Sequence, residues 1–540
     1  MISKAFSSFV LRGVLLLLVL AGCRDVFEAP RWDVDLLAPI AKTTLDLQDL
    51  DQDSLLRENN DRSLTLVFSE KLFSLELDSL FEIPEQRFDT NTPSYPFSVN
   101  LPPGNSLYTD VSNNKFDASG AELTNAKVRE GTIELTLLNT LNEGVLFTYS
   151  IPSAKLGAQV FRKQELLPAG SIAAPTQSSF TYDLAGYELD LTGPNGNDHN
   201  TIILDVEAVV DPGGQIVNVA AGTYLGIKSR FSAVRPEYVE GYFGQSTERA
   251  TSDGEPTDLF NYVQNGEFDL EEVNLDLRIR NGVGVDFTAE ILGLTSINSE
   301  TNTTIALTHP TIGSSLNVNR AGISGLVNTS PDVLFSDFDL SFDQSNSNLD
   351  ELIENQPDQL GYQVDLTLNP LGNVSNHRDF LFYDKGIDIF LDLEVPLSFS
   401  ANNLTLLDTT ELEIADREDF INNVIGGFLY AYVDIGYPFD ATIQLVMLDS
   451  NFNFIDSLVV PTTVIPAAPV NAILRVDGTS SAKLPIPINQ NQIDDFYAAR
   501  YLATRISLTT TSQPDFIKIY SDYRMDLKVV ADFTYRVDEF

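Results

Sequence analysis

Carboxylates are the most abundant ionisable groups in this sequence. The chain has 77 Asp and Glu residues against 33 Lys and Arg residues, and its formal net charge is −44. Asp337, Asp339 and Asp343 alternate with apolar residues, which places them on one face of a predicted strand. Carboxylate oxygens are natural ligands of Ca²⁺, so these three aspartates are calcium candidates. A solvated acidic face is the simpler interpretation, because the spacing lacks the glycine and late glutamate of an EF-hand loop.

Histidine and cysteine, which serve zinc and nucleophile chemistry, are scarce. The three histidines, His199, His309 and His377, lie in separate stretches rich in Pro, Gly and Asn. They lack the ligand spacing of a zinc site, and no Gly-x-Ser-x-Gly elbow or glycine-rich phosphate loop accompanies them. We interpret them as isolated loop residues, and predict that the protein needs no cofactor and is not an enzyme. A carboxylate-dependent hydrolase stays an alternative, because two acids facing each other across a cleft would suffice.

The first 23 residues have the organisation of a secretory signal peptide. Lys4 and Arg12 are the charged residues of the opening segment, Val14–Leu20 is aliphatic, and the stretch closes on Leu20-Ala21-Gly22-Cys23. The apolar run is shorter than the roughly 20 residues needed to cross a bilayer. We therefore predict a signal peptide over residues 1–22 that is removed from the mature chain.

The closing tetrapeptide Leu20-Ala21-Gly22-Cys23 resembles the lipobox of bacterial lipoproteins. The resemblance implies that the Cys23 thiol is acylated, that the chain is cut before Cys23, and that the lipid attaches the protein to a membrane. Cys23 is the single cysteine of the chain, so it has no disulfide partner. Arg24 is not the aspartate that retains lipoproteins at the inner membrane, so we predict the outer membrane. The sequence leaves the periplasmic and the cell-surface side open.

The segment Trp32–Ile40 resembles the opening of the first folded domain in Bacteroidota envelope lipoproteins. It contains the single tryptophan of the chain. The resemblance implies no activity. On physical grounds we expect Trp32 to anchor the first strand in the core, with ligand stacking as the alternative.

Alternation of apolar and polar residues, typical of half-buried strands, dominates the rest of the chain. A strand ending at Asn139 is followed by another that begins at Val145, and similar pairs surround Asn281-Gly282 and Tyr437-Pro438. A looser pair surrounds Asn369-Pro370. The first three recur at about 140 to 155 residues, close to the length of a typical domain. We interpret them as repeats of one unit; the alternative is chance similarity between strands of an all-β chain.

The segment Val273–Ile291 resembles the β-sandwich modules of water-stress (late-embryogenesis-abundant) proteins, in which a strand ends on Asn before a Gly or Pro turn. The resemblance implies an immunoglobulin-like sandwich and no function. Three short stretches, Asn348–Glu354, Asp416–Ile425 and Gln492–Thr504, have apolar residues at helical spacing.

Together these patterns predict an all-β fold of tandem immunoglobulin-like β-sandwich domains with a few short helices. We place the signal peptide at residues 1–22 and a tether at 23–31. Three β-sandwich domains follow at 32–235, 236–400 and 401–540.

The predicted function is that of a lipid-anchored cell-envelope lipoprotein with a non-enzymatic structural or protein-interaction role. We expect an envelope protein as its partner, and the lipoprotein would be a subunit of an outer-membrane assembly. The negative charge repels phosphates, so nucleic acid is excluded as a partner. A surface lipoprotein that binds glycans for nutrient uptake is the first alternative, and it requires an exposed aromatic platform; the carboxylate-dependent hydrolase is the second.

Overall fold

The structure is a computed structural model that describes residues 31–46, 55–76, 83–92, 94–257, 260, 263–324, 332–412, 423–458, 463–511 and 516–538. This part of the chain folds into antiparallel β-sheets with two short helices, which confirms the predicted all-β, multi-sandwich class. The predicted signal peptide, the predicted anchor Cys23 and residues 24–30 of the tether lie outside the described residues.

Two sheets contain the first strands of the described chain. Sheet A has the strand order β1 (Arg31–Asp46), β34 (Arg524–Asp538), β28 (Val424–Ile435) and β31 (Ser480–Ile488). Sheet B has the strand order β2 (Leu56–Glu58), β3 (Leu64–Leu75), β26 (Ile387–Pro396), β17 (Asn274–Asn281) and β23 (Ser336–Asp343).

The largest sheet, sheet C, has ten strands. Its main path is β25 (Asp379–Phe382), β14 (Leu225–Tyr242), β7 (Glu122–Asn139), β11 (Glu188–Asp190), β8 (Val145–Leu156), β12 (Thr201–Val210) and β6 (Ser106–Lys115). Off this path, β10 (Thr176–Asp183) pairs with β7, β4 (Gln86–Asn91) with β14, and β9 (Gln159–Leu167) with β8. The short strand β11 pairs with both β7 and β8 and so joins the two halves of the sheet.

Two further sheets complete the framework. Sheet D contains β15 (Ser246–Pro256), β24 (Gln359–Leu368), β18 (Phe287–Asn298), β19 (Thr303–Ala306) and β20 (Ser315–Val318). Sheet E contains β16 (Val263–Leu270), β27 (Ser398–Glu411), β32 (Tyr501–Thr509), β29 (Asp440–Leu448), β30 (Phe454–Leu458) and β33 (Ile517–Lys518). Two small pairs are β5 (Val99–Leu101) with β13 (Val217–Val219), and β21 (Gly322–Ser324) with β22 (Asp332–Leu334).

Alternating hydrophobicity explains why these segments form strands. In β26 the odd-numbered residues from Ile387 to Val395 are buried, and the residues between them are more exposed. Apolar side chains from different sheets join one large core, among them Phe147 of sheet C, Leu391 of sheet B and Phe533 of sheet A. Burial of this apolar surface is the main force that holds the sheets together.

The strand pairing links segments that are distant in the chain. Strand β1 pairs along its length with β34, and β3 pairs with β26. Both pairings join stretches that the sequence analysis assigned to different domains. The borders at 235 and 400 stay predictions.

Two short helices lie among the described residues. Helix α1 spans Leu349–Glu354 and confirms the helix predicted at Asn348–Glu354. Helix α2 spans Gln490–Ala498, and a capping box formed by Asn489 and Gln492 fixes its start. The predicted continuation of α2 to residue 504 is wrong, because residues from Tyr501 onward belong to β32.

Two further sequence-based expectations have different outcomes. The expectation that Trp32 lies in the core is wrong: its side chain is 52% exposed near the start of β1. The helix predicted at Asp416–Ile425 lies mainly outside the described residues, and its last two positions belong to strand β28. None of the described helices has the length and apolar character required to span a membrane.

Candidate functional site

The turn that follows His199 is fastened to the strand that carries Glu122. Asn200 is buried, and its side chain accepts a hydrogen bond from the backbone N–H of Leu123 and donates one to the carbonyl of Ala121, both at 2.7 Å. These two residues flank Glu122, the first residue of β7. Displacing a buried amide with both ends bonded is unfavourable. Asn200 therefore holds His199 beside the Glu122 carboxylate.

The loop between β24 and β25 brings His377 to the same carboxylate. The backbone N–H of His377 donates a 2.9 Å hydrogen bond to Asn373 Oδ1. Tyr242 in β14 is paired directly opposite Glu122, and its ring packs edge-on against the His377 imidazole at a centroid distance of 6.4 Å. His377 has a φ of +62°. A side chain in this left-handed conformation costs about 1–2 kcal/mol, so the surrounding contacts must hold it.

Glu122, His199 and His377 form a cluster of three potential metal ligands, the His–Glu cluster. His377 Nε2 lies 2.6 Å from Glu122 Oε2, and His199 Nε2 lies 3.9 Å from Glu122 Oε1. The two imidazole rings are nearly parallel, with 6.0 Å between centroids and 14° between planes. The three side chains are between 29% and 38% exposed. Water and small ions can therefore reach the cluster.

The donor set of the His–Glu cluster is that of two-histidine, one-carboxylate metal sites. Its ligand atoms lie within 4.8 Å of one another, and it is the one such group among the residues that the structure describes. The interpretation of the histidines as isolated is wrong for His199 and His377. They come together because β14 lies between β7 and β25, which follows directly after the His377 loop. Their spacing in the sequence carries no signal of this contact.

His309 has a different environment. Its Nδ1 lies 2.6 Å from Thr311 Oγ1, and its ring packs edge-on against Phe342 at 5.0 Å between centroids. These contacts give His309 a packing role in the turn that precedes β20.

The three predicted calcium ligands have other surroundings. Asp337 and Asp339 lie on the exposed face of β23, each directly opposite an arginine of β17. Asp343 Oδ1 accepts hydrogen bonds from the Ser345 hydroxyl at 2.5 Å and the Ser345 backbone N–H at 2.7 Å, and these bonds lower the pKa of Asp343 below its usual value. Calcium binding by these aspartates stays a prediction.

A second candidate site is an exposed row of aromatic side chains on β28. Phe428, Tyr430 and Tyr432 alternate along this strand with buried residues of the core. The rings of Phe428 and Tyr430 are stacked at 5.9 Å between centroids, and those of Tyr430 and Tyr432 lie 6.5 Å apart. Phe428 is 43% and Tyr432 39% exposed. We call these three side chains the aromatic row.

Neighbouring strands extend the apolar surface around the aromatic row. In β31 the exposed Pro487 and Pro485 lie opposite Phe428 and Tyr430, and cross-strand partners share a face of the sheet. Tyr432 lies between two lysines, Lys483 of β31 and Lys528 of β34. The Lys483 ammonium nitrogen lies 3.7 Å from the centroid of the Tyr430 ring, which is a cation–π contact. The row thus has an apolar centre with charges of both signs around it, because Asp434 and Asp526 follow next to the lysines on the same face and Asp532 lies opposite Phe428.

An apolar cavity between the halves of sheet C offers no acid–base chemistry. Its lining is apolar except for Gln86 and includes three phenylalanines, Phe88, Phe116 and Phe231. A glycoside hydrolase needs two carboxylates facing each other. The lining of this cavity contains no carboxylate.

Comparisons with known proteins give only distant likenesses. No family model and no curated protein matches the chain. A solved structure of a Parabacteroides distasonis protein described as secreted is similar at 15% identity over 53% of this chain and 82% of that one, with a TM-score of 0.26. A broad bean stain virus structure is similar at 13% identity over 65% and 94%, with a TM-score of 0.16. The VP2 subviral particle of infectious bursal disease virus is similar at 9% identity over 86% of this chain and 83% of that one, with a TM-score of 0.10. TM-scores this low support no inference about function.

Proposed function

We propose that this protein is a lipid-anchored lipoprotein of the bacterial outer membrane that binds a partner protein and does not catalyse a reaction. The aromatic row on the outer face of sheet A is the observation that carries the proposal. The lipobox-like Leu20-Ala21-Gly22-Cys23 supports the anchor.

The composition of the aromatic row favours a protein partner. Aromatic residues are enriched and acidic residues depleted at the centres of protein interfaces. The row combines three aromatic rings with Pro485 and Pro487 in a chain whose net charge is −44. The lysines and aspartates around this apolar centre favour a partner that presents apolar side chains inside a polar rim.

The position of sheet A favours a partner in or at the membrane. Strand β1 belongs to the same sheet as the aromatic row and begins at Arg31, eight residues after Cys23. Eight extended residues reach at most roughly 26–29 Å. A lipid on Cys23 would therefore keep the start of β1, at one end of sheet A, within that distance of the bilayer surface.

Glycan binding is the second candidate, because the aromatic row meets its requirement for an exposed aromatic platform. Sugars stack on open ring faces, and the Lys483 ammonium lies over the face of Tyr430. This contact favours the protein partner over the glycan.

Site-specific photo-crosslinking in the native envelope tests the proposed interface. A crosslinking amino acid replaces Tyr432, and in a matched control it replaces Phe454 of β30, an exposed aromatic residue of sheet E. We expect the Tyr432 position to capture one membrane protein in a fixed ratio and the Phe454 position to capture none. Equal capture at both positions, or a protein that stays monomeric at both, would overturn the proposal.

Two additional measurements separate the parts of the proposal. Cys23→Ser should move the protein from the membrane fraction to the soluble fraction, and a variant that stays with the membrane would contradict lipid anchoring. If the protein binds to a glycan array and Tyr430→Ala abolishes that binding, the aromatic row binds a glycan and the proposal of a protein partner is wrong.

A further inference from the structure

We propose that Glu122, His199 and His377 bind a divalent transition-metal ion, and that Zn²⁺ fits this set of ligands well. The His–Glu cluster is separate from the aromatic row, and the inference does not depend on the proposed partner.

The three donor atoms are close to the arrangement that zinc requires. With bonds of about 2.0–2.1 Å, the ligand atoms of a tetrahedral zinc ion lie about 3.3 Å apart. His377 Nε2 lies 2.6 Å from Glu122 Oε2 and His199 Nε2 lies 3.9 Å from Glu122 Oε1. One ligand atom from each residue can be chosen so that all three lie within 4.8 Å of one another. Movements of about 1 Å would bring all three donors to zinc-binding distances, a change that exposed side chains make by small rotations.

The orientation of the three side chains also favours a metal ion. Both imidazoles direct Nε2 at the same carboxylate, and their rings stack at 6.0 Å. A dication held by two imidazole nitrogens and one carboxylate uses all three groups as ligands. The net charge of −44 further raises the concentration of cations at the surface.

The surroundings hold the ligands in place as in metal sites with an outer layer of hydrogen bonds. Asn200 fastens the His199 turn to both neighbours of Glu122. Asn373 binds the backbone of His377. Three ligands with about a third of their surface exposed leave a fourth position open for water or a ligand from a partner.

A bound ion would cross-link two parts of the fold. Glu122 and His199 belong to the end of sheet C where β7 begins, and His377 belongs to the loop after β24 of sheet D. The ion would fasten this loop to sheet C, and metal binding would therefore raise the unfolding temperature.

Metal titration of the full-length protein tests the inference. Chelator-treated protein is titrated with ZnCl₂ by calorimetry in millimolar Mg²⁺, which occupies the many surface carboxylates. We expect one Zn²⁺ per chain, and His199→Gln, His377→Gln and Glu122→Gln should each weaken binding at least about tenfold. His309→Gln is the matched control, because it removes the histidine that lies outside the cluster, and it should bind Zn²⁺ as the unaltered protein does.

A spectroscopic readout and a folding check keep the test decisive. Co²⁺ in place of Zn²⁺ should give the visible absorption of a four- or five-coordinate site in the unaltered protein, and lose it in the double variant His199→Gln/His377→Gln. Circular dichroism of each variant checks its fold. The inference is overturned if no saturable site appears in the unaltered protein, or if the double variant binds as tightly as His309→Gln.

Discussion

Asn139 and Asn281 each end a strand, in two different sheets, and their side chains make the same hydrogen bond to the turn that follows. Asn139 is the last residue of β7 in sheet C and Asn281 the last of β17 in sheet B, and both are fully buried. Each side-chain Oδ1 accepts a hydrogen bond from the backbone N–H two residues later, at 2.7 Å from Leu141 and 2.8 Å from Val283. An asparagine side chain thus closes each of the two turns, and these turns join the strand pairs that are similar in the sequence.

Replacing either asparagine by alanine should lower the unfolding midpoint. Each buried group left without a partner costs about 1–3 kcal/mol. Asn139→Ala should have the larger effect, because the Asn139 side chain donates to the carbonyls of both Glu143 and Pro168, whereas that of Asn281 donates to the carbonyl of Asn319. Urea denaturation measures the difference. The exposed Asn218→Ala is the control, and an effect of Asn139→Ala no larger than this control would contradict the role of the amide.

Gly284 should not tolerate a side chain. A Cβ atom at this position would overlap the Phe380 ring, and the Gly284 backbone N–H donates to the Phe380 carbonyl at 2.9 Å. Gly284→Ala should therefore destabilise the protein by about 1–3 kcal/mol or more. Gly293 on the following strand has open space around its Cβ position, and Gly293→Ala should stay within about 0.5 kcal/mol. Thermal unfolding compares the two, and equal effects would refute the predicted overlap.

Arg320 should contribute more to stability than an ordinary surface arginine. Its Nη1 lies 3.3 Å from Oδ1 of Asp379, whose side chain is only 1% exposed. Burial raises the pKa of Asp379, and Arg320 offsets this in part and also donates to the carbonyls of Gly284 and Arg378. Arg320→Met should therefore destabilise the protein by more than about 1 kcal/mol, and Asp379→Asn in the same chain should restore part of the loss. Arg57→Met breaks an exposed pair with Glu394 and should cost less than about 1 kcal/mol. Denaturant midpoints of the four proteins test this order, and an Arg320→Met loss as small as that of Arg57→Met would disprove it.

Glu354 should make stability depend on pH. Burial raises its pKa, although its side chain accepts a 2.8 Å hydrogen bond from the Leu270 N–H that acts in the opposite direction. A carboxyl group whose pKa is higher in the folded state favours folding below its unfolded pKa and loses that contribution as the pH rises through the folded pKa. Glu354→Gln keeps an oxygen acceptor without the charge.

We therefore expect Glu354→Gln to unfold at a higher temperature than the unaltered protein at pH 7, and the difference to vanish near pH 4. The exposed Glu300→Gln controls for the loss of one negative charge. If both variants shift the midpoint equally at pH 7, burial of Glu354 is not the cause.

The local features of the fold could be predicted from the sequence because they depend on neighbouring residues. The strands on both sides of Asn139 follow from alternation, and α1 follows from the helical spacing of Leu349, Leu352 and Ile353. The prediction that α2 continues to residue 504 was wrong because Leu502 fits both the spacing of a helix and the alternation of a strand. Its burial together with Ile506 and Leu508 in β32 gives the pattern of a strand.

The candidate sites differ in how well the sequence could have indicated them. Phe428, Tyr430 and Tyr432 alternate in the sequence, so an aromatic strand face could have been recognised there. The approach of His199 to His377 depends on the pairing of β14 with β7 and β25, which is set by tertiary contacts. The prediction that Trp32 is buried failed because a large aromatic residue lies in the core only where other elements cover it.

The pairing of β1 with β34 determines the order in which the chain can complete its fold. The side chains of Asp33 and Arg536 form a hydrogen bond across these strands although 503 positions separate them. During synthesis β1 emerges long before its partner strand exists, and contacts of such long range form slowly. Until the last strand arrives, the backbone edge of β1 that pairs with β34 has no partner, and an unpaired strand edge favours aggregation. Sheet A therefore cannot be completed before the final strand has been synthesised, and without β34 the described part of the chain offers β1 no neighbouring strand in this sheet.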